Sequence, residues 1–326
     1  MQDSISAIIA PVPVAAVSLL LAVLLEQFFS LPEYLHPRAL MRLIAERLGN
    51  KVNPQGASVF QQRLSGSLAL VVWVTPWLAL FYGFRYLVAE PWLLDALLLY
   101  LFIQFQPLVR DLSRIEHQLH KGQKRLARET AANWLLRDTQ QLSPMGLRKA
   151  MMESASMRLL CDYLAPVFYF LLGGPLLLLG YSLIVIASQT WNCKQHAYRQ
   201  FGLVSAAFRQ VLDFLPGIIL ALLLTLYRLG SDAFRGLVFN HRDFSPIGGK
   251  LVAINSAVLQ TSLGGPVAYA QMKIRRFRIE RTADPENGSL FKQVKLLQLV
   301  RALLLVTILL LMAAALIVKQ NPALTF

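Results

Sequence analysis

Apolar positions in this chain come in long blocks, without the one-in-two alternation of a strand. Uncharged runs near the 20 or so residues that cross a bilayer occupy 7–25, 64–84 and 302–318, and 91–109 qualifies apart from Asp95. Each predicts a spanning helix. The run 163–193 exceeds one span and is divided by Gly173, Gly174 and Pro175. The run 214–227 is short, and extending it backwards takes in Arg209 and Asp213. The run 251–272 carries Asn255, Ser256, Gln260, Thr261 and Ser262, which is too polar for lipid. It predicts a buried or re-entrant segment. The expected fold is an all-α polytopic membrane protein of about six transmembrane helices, read as one domain over 1–326.

Between the spans the period becomes that of amphipathic helices. Leu112, Ile115, Leu119 and Leu126 recur at helical spacing among Arg114, Lys121, Lys124, Arg125 and Arg128. "SPMGLRKAMME" predicts another helix, with Ser143 as N-cap and Pro144 in the first turn. These helices make 110–162 a cytoplasmic insertion, with 228–301 a second cytoplasmic region. An outside N-terminus with six spans places 30–63, 110–162 and 228–301 inside. Those loops hold 5, 10 and 12 Lys and Arg, 27 of the 32 in the chain. That asymmetry matches the positive-inside rule.

Composition supports a membrane reading. Hydrophobic residues make up 56% and charged residues 15%, against about 25% charged in a soluble domain. The net charge of +14 is read as loops facing anionic lipid, not as a nucleic-acid footprint. Cys161 and Cys193 lack metal-ligand spacing, and no metal site is expected. Walker A and G-x-S-x-G motifs are absent. His117 and His120 share a basic helix face with Glu116 and read as solvated surface. Glu26 and Asp95 are acids inside apolar runs, each near a span end. Candidate ligand contacts are His36 in "EYLHPRAL", His241 in "NHRDFSP", and Arg137, Asp138 and Thr139 in "LLRDTQQLSP". Arg137 suits bidentate phosphate binding and Asp138 suits a metal. A local Arg137–Asp138 pair ordering the turn is the plainer alternative.

Eight stretches in order carry a resemblance: "LPEYLHPRALMRLI", "RDTQQLS", "KAMMES", "LAPVFYFLLGGP", "YRQFGLVSA", "LDFLPG", "FSPIGG" and "SLGGPVAY". Together they resemble the CobD/CbiB family of cobalamin-biosynthesis membrane proteins, almost without gaps from Arg110 to Tyr269. The resemblance implies a bacterial inner-membrane protein with a corrinoid or nucleotide ligand. It implies an ATP- and magnesium-dependent enzyme that joins aminopropanol phosphate, or a close relative, to adenosylcobyric acid. It also implies roles for Glu153 and for both Gly-Gly-Pro breaks, Gly173–Gly174–Pro175 and Gly264–Gly265–Pro266. They are expected to end helices inside the bundle and line a site, or to allow close helix packing at glycine.

The departures from the family pattern fall on its acids and amides. The chain has Met157, Arg158 and Cys161 where the family has a Glu-Asn pair and an Asp. Val185, Ile186, Ala187 and Ser188 stand for Asn-Thr-Leu-Asp. Arg209 and Gln210 stand for paired aspartates. Ile247 and Val252 replace an Asn and a Glu. Such replacements do not hold magnesium or orient a phosphate. The expectation is weak or absent ligase activity. The alternatives are a non-enzymatic role like that of the AmpE branch, linked to β-lactamase induction, and a binding protein that keeps a corrinoid or nucleotide pocket without chemistry.

Overall fold

A computed structural model describes residues 12–29, 31, 36–54, 56–135, 137–227, 230–269, 272–281 and 283–320. The first five residues of the expected 7–25 span, and the chain beyond 320, lie outside them. The chain is an all-α polytopic membrane protein. Its helices are α1 (Val12–Phe28), α2 (Pro37–Val52), α3 (Val59–Leu87), α4 (Pro91–Phe102), α5 (Gln106–His120), α6 (Lys124–Ala132), α7 (Pro144–Leu159), α8 (Ala165–Thr190), α9 (Leu203–Tyr227), α10 (Ser231–Leu237), α11 (Pro246–Leu259) and α12 (Ser289–Gln320). Two short antiparallel ribbons fall between α11 and α12: β1 (Leu263–Gly264) with β4 (Arg278–Ile279), and β2 (Val267–Tyr269) with β3 (Met272–Ile274). Among the described residues, five helical stretches are by length and composition long and apolar enough to cross a membrane, and Ala15–Phe28 and Pro246–Leu259 are shorter apolar helices.

The helix ends follow local chemistry. Ser143 caps α7 by accepting the Gly146 N–H, with Pro144 in the first turn. His36 caps α2 by accepting the Arg38 N–H. The apolar run 91–109 breaks at Ile103–Phe105, so α4 and α5 are separate helices. Buried Glu26 accepts the N–H groups of Phe105 and Gln106 across that break and lies 3.4 Å from Arg301. An intramembrane acid near a span end is thus a cap for another helix. Asp95 pairs with Arg85 at 2.9 Å. The Ser18 hydroxyl, in the middle of α1, donates to Trp92 at the start of α4, and Glu26, two turns further along α1, reaches Phe105 beyond the end of α4. Helices α1 and α4 therefore run parallel.

The run 163–193 does not form one straight span. Helix α7 passes through a π-helical turn, Leu160–Leu164, into α8. Inside α8, Gly173 (φ −150°, ψ 24°) and Gly174 (φ 74°, ψ −164°) leave helical geometry. The Gly174 conformation is essentially restricted to glycine. The rings of Tyr169 and Tyr181 stack at 4.9 Å, although 12 residues of straight helix would separate them by about 18 Å. Arg209 donates to Cys161 Sγ (3.0 Å) and Ser188 Oγ (3.4 Å) together. The two arms of α8 are thus antiparallel, and the first Gly-Gly-Pro is a chain reversal.

The second Gly-Gly-Pro interrupts no helix. Gly264 and Gly265 (φ 80° and 94°) link β1 to β2, where the Gly265 N–H donates to Phe277. The 251–272 stretch is the back of α11, which ends at left-handed Gln260, followed by these ribbons. At 14 residues α11 is about 21 Å long, short of the ~30 Å hydrocarbon layer, and eleven of its residues are buried.

Helices α5, α7 and α11 and the start of α12 pack together through polar contacts. Glu116, only 1% exposed, pairs with Arg148 at 3.0 Å and accepts the N–H groups of Gly288 and Leu290. Asn255 donates to the Met152 carbonyl and to Gln293. Glu116 was legible only as a neighbour of surface histidines. His117 and His120 are exposed, with His117 edge-on to Phe291.

Candidate functional site: a basic cleft beside the helical reversal

The end of α7, the π-helical turn, the second arm of α8, α9, and the start of α11 enclose a cleft of about 520 Å³. Six cations line it: Arg137, Arg158, Lys194, Arg209, Arg242 and Arg276. Three carboxylates face them: Glu153, Asp213 and Asp243. The excess of positive charge suits an anionic ligand, and partial enclosure strengthens each charge–charge term.

Internal partners already engage every one of these carboxylates. Glu153, 5% exposed, accepts from Arg137 (3.0 Å), from Arg276, and from the Gly264 N–H (2.7 Å). Asp213 accepts from Arg209 (3.1 Å) and the Tyr181 hydroxyl (2.7 Å). Asp243 accepts the Phe277 N–H (2.8 Å). Behind the wall, buried Asp162 joins Arg38 (2.8 Å) to Arg158 (3.3 Å). Its carbonyl accepts the Gln104 N–H. The π-helical turn carries this pairing, in keeping with such turns occurring near functional sites. Arg158 lies over Trp134, and Arg276 over Phe244. Among the described residues, Asn192 Nδ2 and Arg276 Nε are buried donors with no partner, and both residues line the cleft. Among those residues no three His, Cys, Asp or Glu side chains group to hold a metal ion.

Only some of the sequence candidates meet here. Arg137 and Glu153 line the cleft and pair with each other. Asp138 is exposed, and its carboxylate accepts the Gln140 N–H. The expected Arg137–Asp138 pair is therefore replaced by Arg137–Glu153. Thr139 is buried but absent from the lining. His36 is a buried helix cap beside Glu26 and Tyr100, in a separate small cavity. Burial and the adjacent Arg38 guanidinium push its imidazole down to about 4. His241 stacks on Phe277 at 4.6 Å next to the cleft rim. Gly173, Gly174 and Pro175 sit at the reversal and line no part of the cleft. Gly264 reaches Glu153 from behind, while Gly265 and Pro266 remain outside the lining.

The replaced family positions predict the cleft better. Met157, Arg158, Cys161, Ser188, Arg209, Gln210 and Val252 all line it. Sequence reasoning missed Trp134, Asn192, Lys194, Arg242 and Arg276. Arg276 lay in the basic run "KIRRFRIER", which carries no sign of which arginine turns inward.

A family model described as CobD/Cbib protein matches residues 19–297. A Chromobacterium violaceum protein named cobalamin biosynthesis protein CobD is 29% identical over 262 residues, covering 78% of this chain and 83% of that protein. A CobD of Klebsiella pneumoniae is 28% identical over 218 residues, covering 65% and 64%. A cobalamin biosynthesis protein CbiB of Salmonella arizonae is 25% identical over 262 residues, covering 78% and 75%. No solved structure matches. With its helical membrane fold and a family match over most of its length, the chain belongs to the CobD/CbiB family.

Proposed function

We propose that this CobD/CbiB-family protein sits in the bacterial inner membrane and binds a phosphate-bearing ligand of corrinoid assembly in the basic cleft, with little or no ATP-dependent amide-bond formation. The observation that carries the reading is the state of the cleft's carboxylates. At a phosphate-handling site magnesium is held by one or two free carboxylates together with phosphate and water oxygens. Here each carboxylate is committed to an arginine, a tyrosine or a backbone N–H, so the residues present do not fit the ion. The arginines fit a phosphate directly, since a guanidinium grips two phosphate oxygens at once.

A second reading, a non-catalytic regulator of the AmpE kind, draws on Arg209. That arginine stands at a position of family aspartates, and it closes the cleft wall by bridging Cys161, Ser188 and Asp213. The test is complementation of a strain lacking its own family enzyme, on medium that demands cobinamide synthesis. The expected result is little or no growth. Robust growth that Arg137→Ala or Glu153→Ala abolishes would identify an ordinary ligase and overturn the proposal. Binding of pyrophosphate to the purified protein in the presence of a chelator separates the two readings. A cleft that ignores the anion leaves only the regulatory one.

A further inference from the structure

We infer that α8 is a re-entrant hairpin, that α9 lies in the plane of the same membrane face, and that the cleft opens on that face, toward the basic loops. The inference does not depend on what the cleft binds. It rests first on α2, whose sequence carries Arg38, Arg42, Glu46, Arg47 and Lys51 and is too charged to cross a bilayer. This one surface helix holds both ends of the hairpin. Arg38 pairs with Asp162 at the start of the first arm. The Ala45 carbonyl accepts the Trp191 indole N–H just past the second arm, at 2.9 Å. The two α2 positions are seven residues apart, about 10 Å along the axis. Cys161 and Ser188, both within reach of the Arg209 guanidinium, require the same arrangement.

Helix α9 also begins and ends on this side. Gly202, just before it, packs against the Trp191 carbonyl so closely that an added Cβ would lie 1.9 Å from that oxygen. After α9, Gly236 of α10 packs on Ile254 of α11, and the next residue, Asn255, donates to Met152 of α7. The surface of α9 matches an in-plane helix. Phe208, Val211, Leu215, Leu222 and Leu226 are exposed and fall on one stripe at helical spacing. Asp213, Gly217, Leu220 and Leu224 are buried on the opposite stripe.

In this arrangement the crossing segments are α1, α3, the apolar run 91–109 that continues from α4 into α5, and α12. Lys194, Arg199 and Arg209, outside in the six-span scheme, join the other 27 on the inner face. Of the 32 Lys and Arg, 30 are then inside, leaving Arg85 and Lys319 out. The charge asymmetry sharpens, as orientation by basic loops requires.

The test uses single cysteines in a full-length chain carrying Cys161→Ser and Cys193→Ser, probed with a membrane-impermeant maleimide. Glu90→Cys, in the α3–α4 turn, is expected to label in intact cells. Lys194→Cys and Lys121→Cys are expected to label only after permeabilisation. Labelling of Lys194→Cys in intact cells to the level of Glu90→Cys would overturn the inference. If the cysteine-free background fails to fold, trypsin treatment of oriented vesicles replaces it for the wild-type chain. Lys194 and Arg199 are exposed, so cleavage there is expected in inside-out vesicles alone. Cleavage at these sites in right-side-out vesicles would sink the topology.

Discussion

Replacing Glu153 with Gln tests the electrostatics of the cleft most directly. The change keeps the side chain's shape and removes one negative charge. In the native protein that charge is 5% exposed and stands between Arg137 and Arg276, with the Gly264 N–H as a third donor. The glutamine oxygen retains one of these bonds. Its NH₂ then points a donor at another donor, and two guanidinium groups face each other without a counter-charge. Breaking a buried pair in this way costs about 3–5 kcal/mol, a large share of the 5–15 kcal/mol or so that holds a typical fold. At roughly 2–4 °C per kcal/mol, thermal unfolding in detergent should move down by on the order of 10 °C. Added pyrophosphate should restore stability to the variant more than it stabilises the wild type, since it supplies the missing negative charge. At a hundredfold excess over its dissociation constant a ligand contributes about 2.7 kcal/mol. Sodium chloride at matched ionic strength controls for screening. A variant within about 1 kcal/mol of wild type and indifferent to pyrophosphate would refute the picture of Glu153 as the counter-charge of an anion-binding cleft.

His36 should make stability depend on pH. Its folded pKa of about 4 lies below its ordinary 6.5, so the unfolded chain binds the proton more readily between those values. Stability from this group is complete above pH 6.5 and falls by about 3 kcal/mol as pH drops to 4. His36→Asn, which retains an N-cap acceptor, should flatten that part of a denaturation-against-pH curve. Gly174→Ala should destabilise by about 1–3 kcal/mol through backbone strain alone, because no atom lies within 4 Å of the added methyl. Gly180→Ala, equally open but within the regular part of α8, should be neutral or slightly stabilising in the same melt. Asp138→Ala should change stability by about 1 kcal/mol or less and leave pyrophosphate binding as in wild type, since Asp138 is exposed and bonds only within its own turn. A loss of binding would return Asp138 to the site.

What the sequence revealed and concealed follows from the range of the forces involved. Spans and amphipathic helices came from periodicity, which is local, and so did the Ser143–Pro144 helix start. The break at Gly173 and Gly174 was legible for the same reason. Its direction was not, because a kink and a reversal demand the same glycines. The stack of Tyr169 on Tyr181 and the reach of Arg209 to Cys161 and Ser188 decide between them, and those contacts exist only in the packed chain. The same holds for Glu116, whose partners Arg148, Gly288 and Leu290 lie far along the sequence. The cleft was traced most clearly by positions where the chain departs from the pattern that its family resemblance implies. Arg209 gives the physical reason. A guanidinium on the wall of a buried site, one turn before Asp213, must find a counter-charge. It takes that aspartate at 3.1 Å and removes it from the oxygens available to a metal ion. On the proposed reading, an arginine where the resemblance implies an acid acts twice, supplying no metal ligand itself and occupying Asp213. A substitution at this position alone, Arg209→Asp, would place two carboxylates, at 209 and 213, one helical turn apart and release Asp213 from its guanidinium partner.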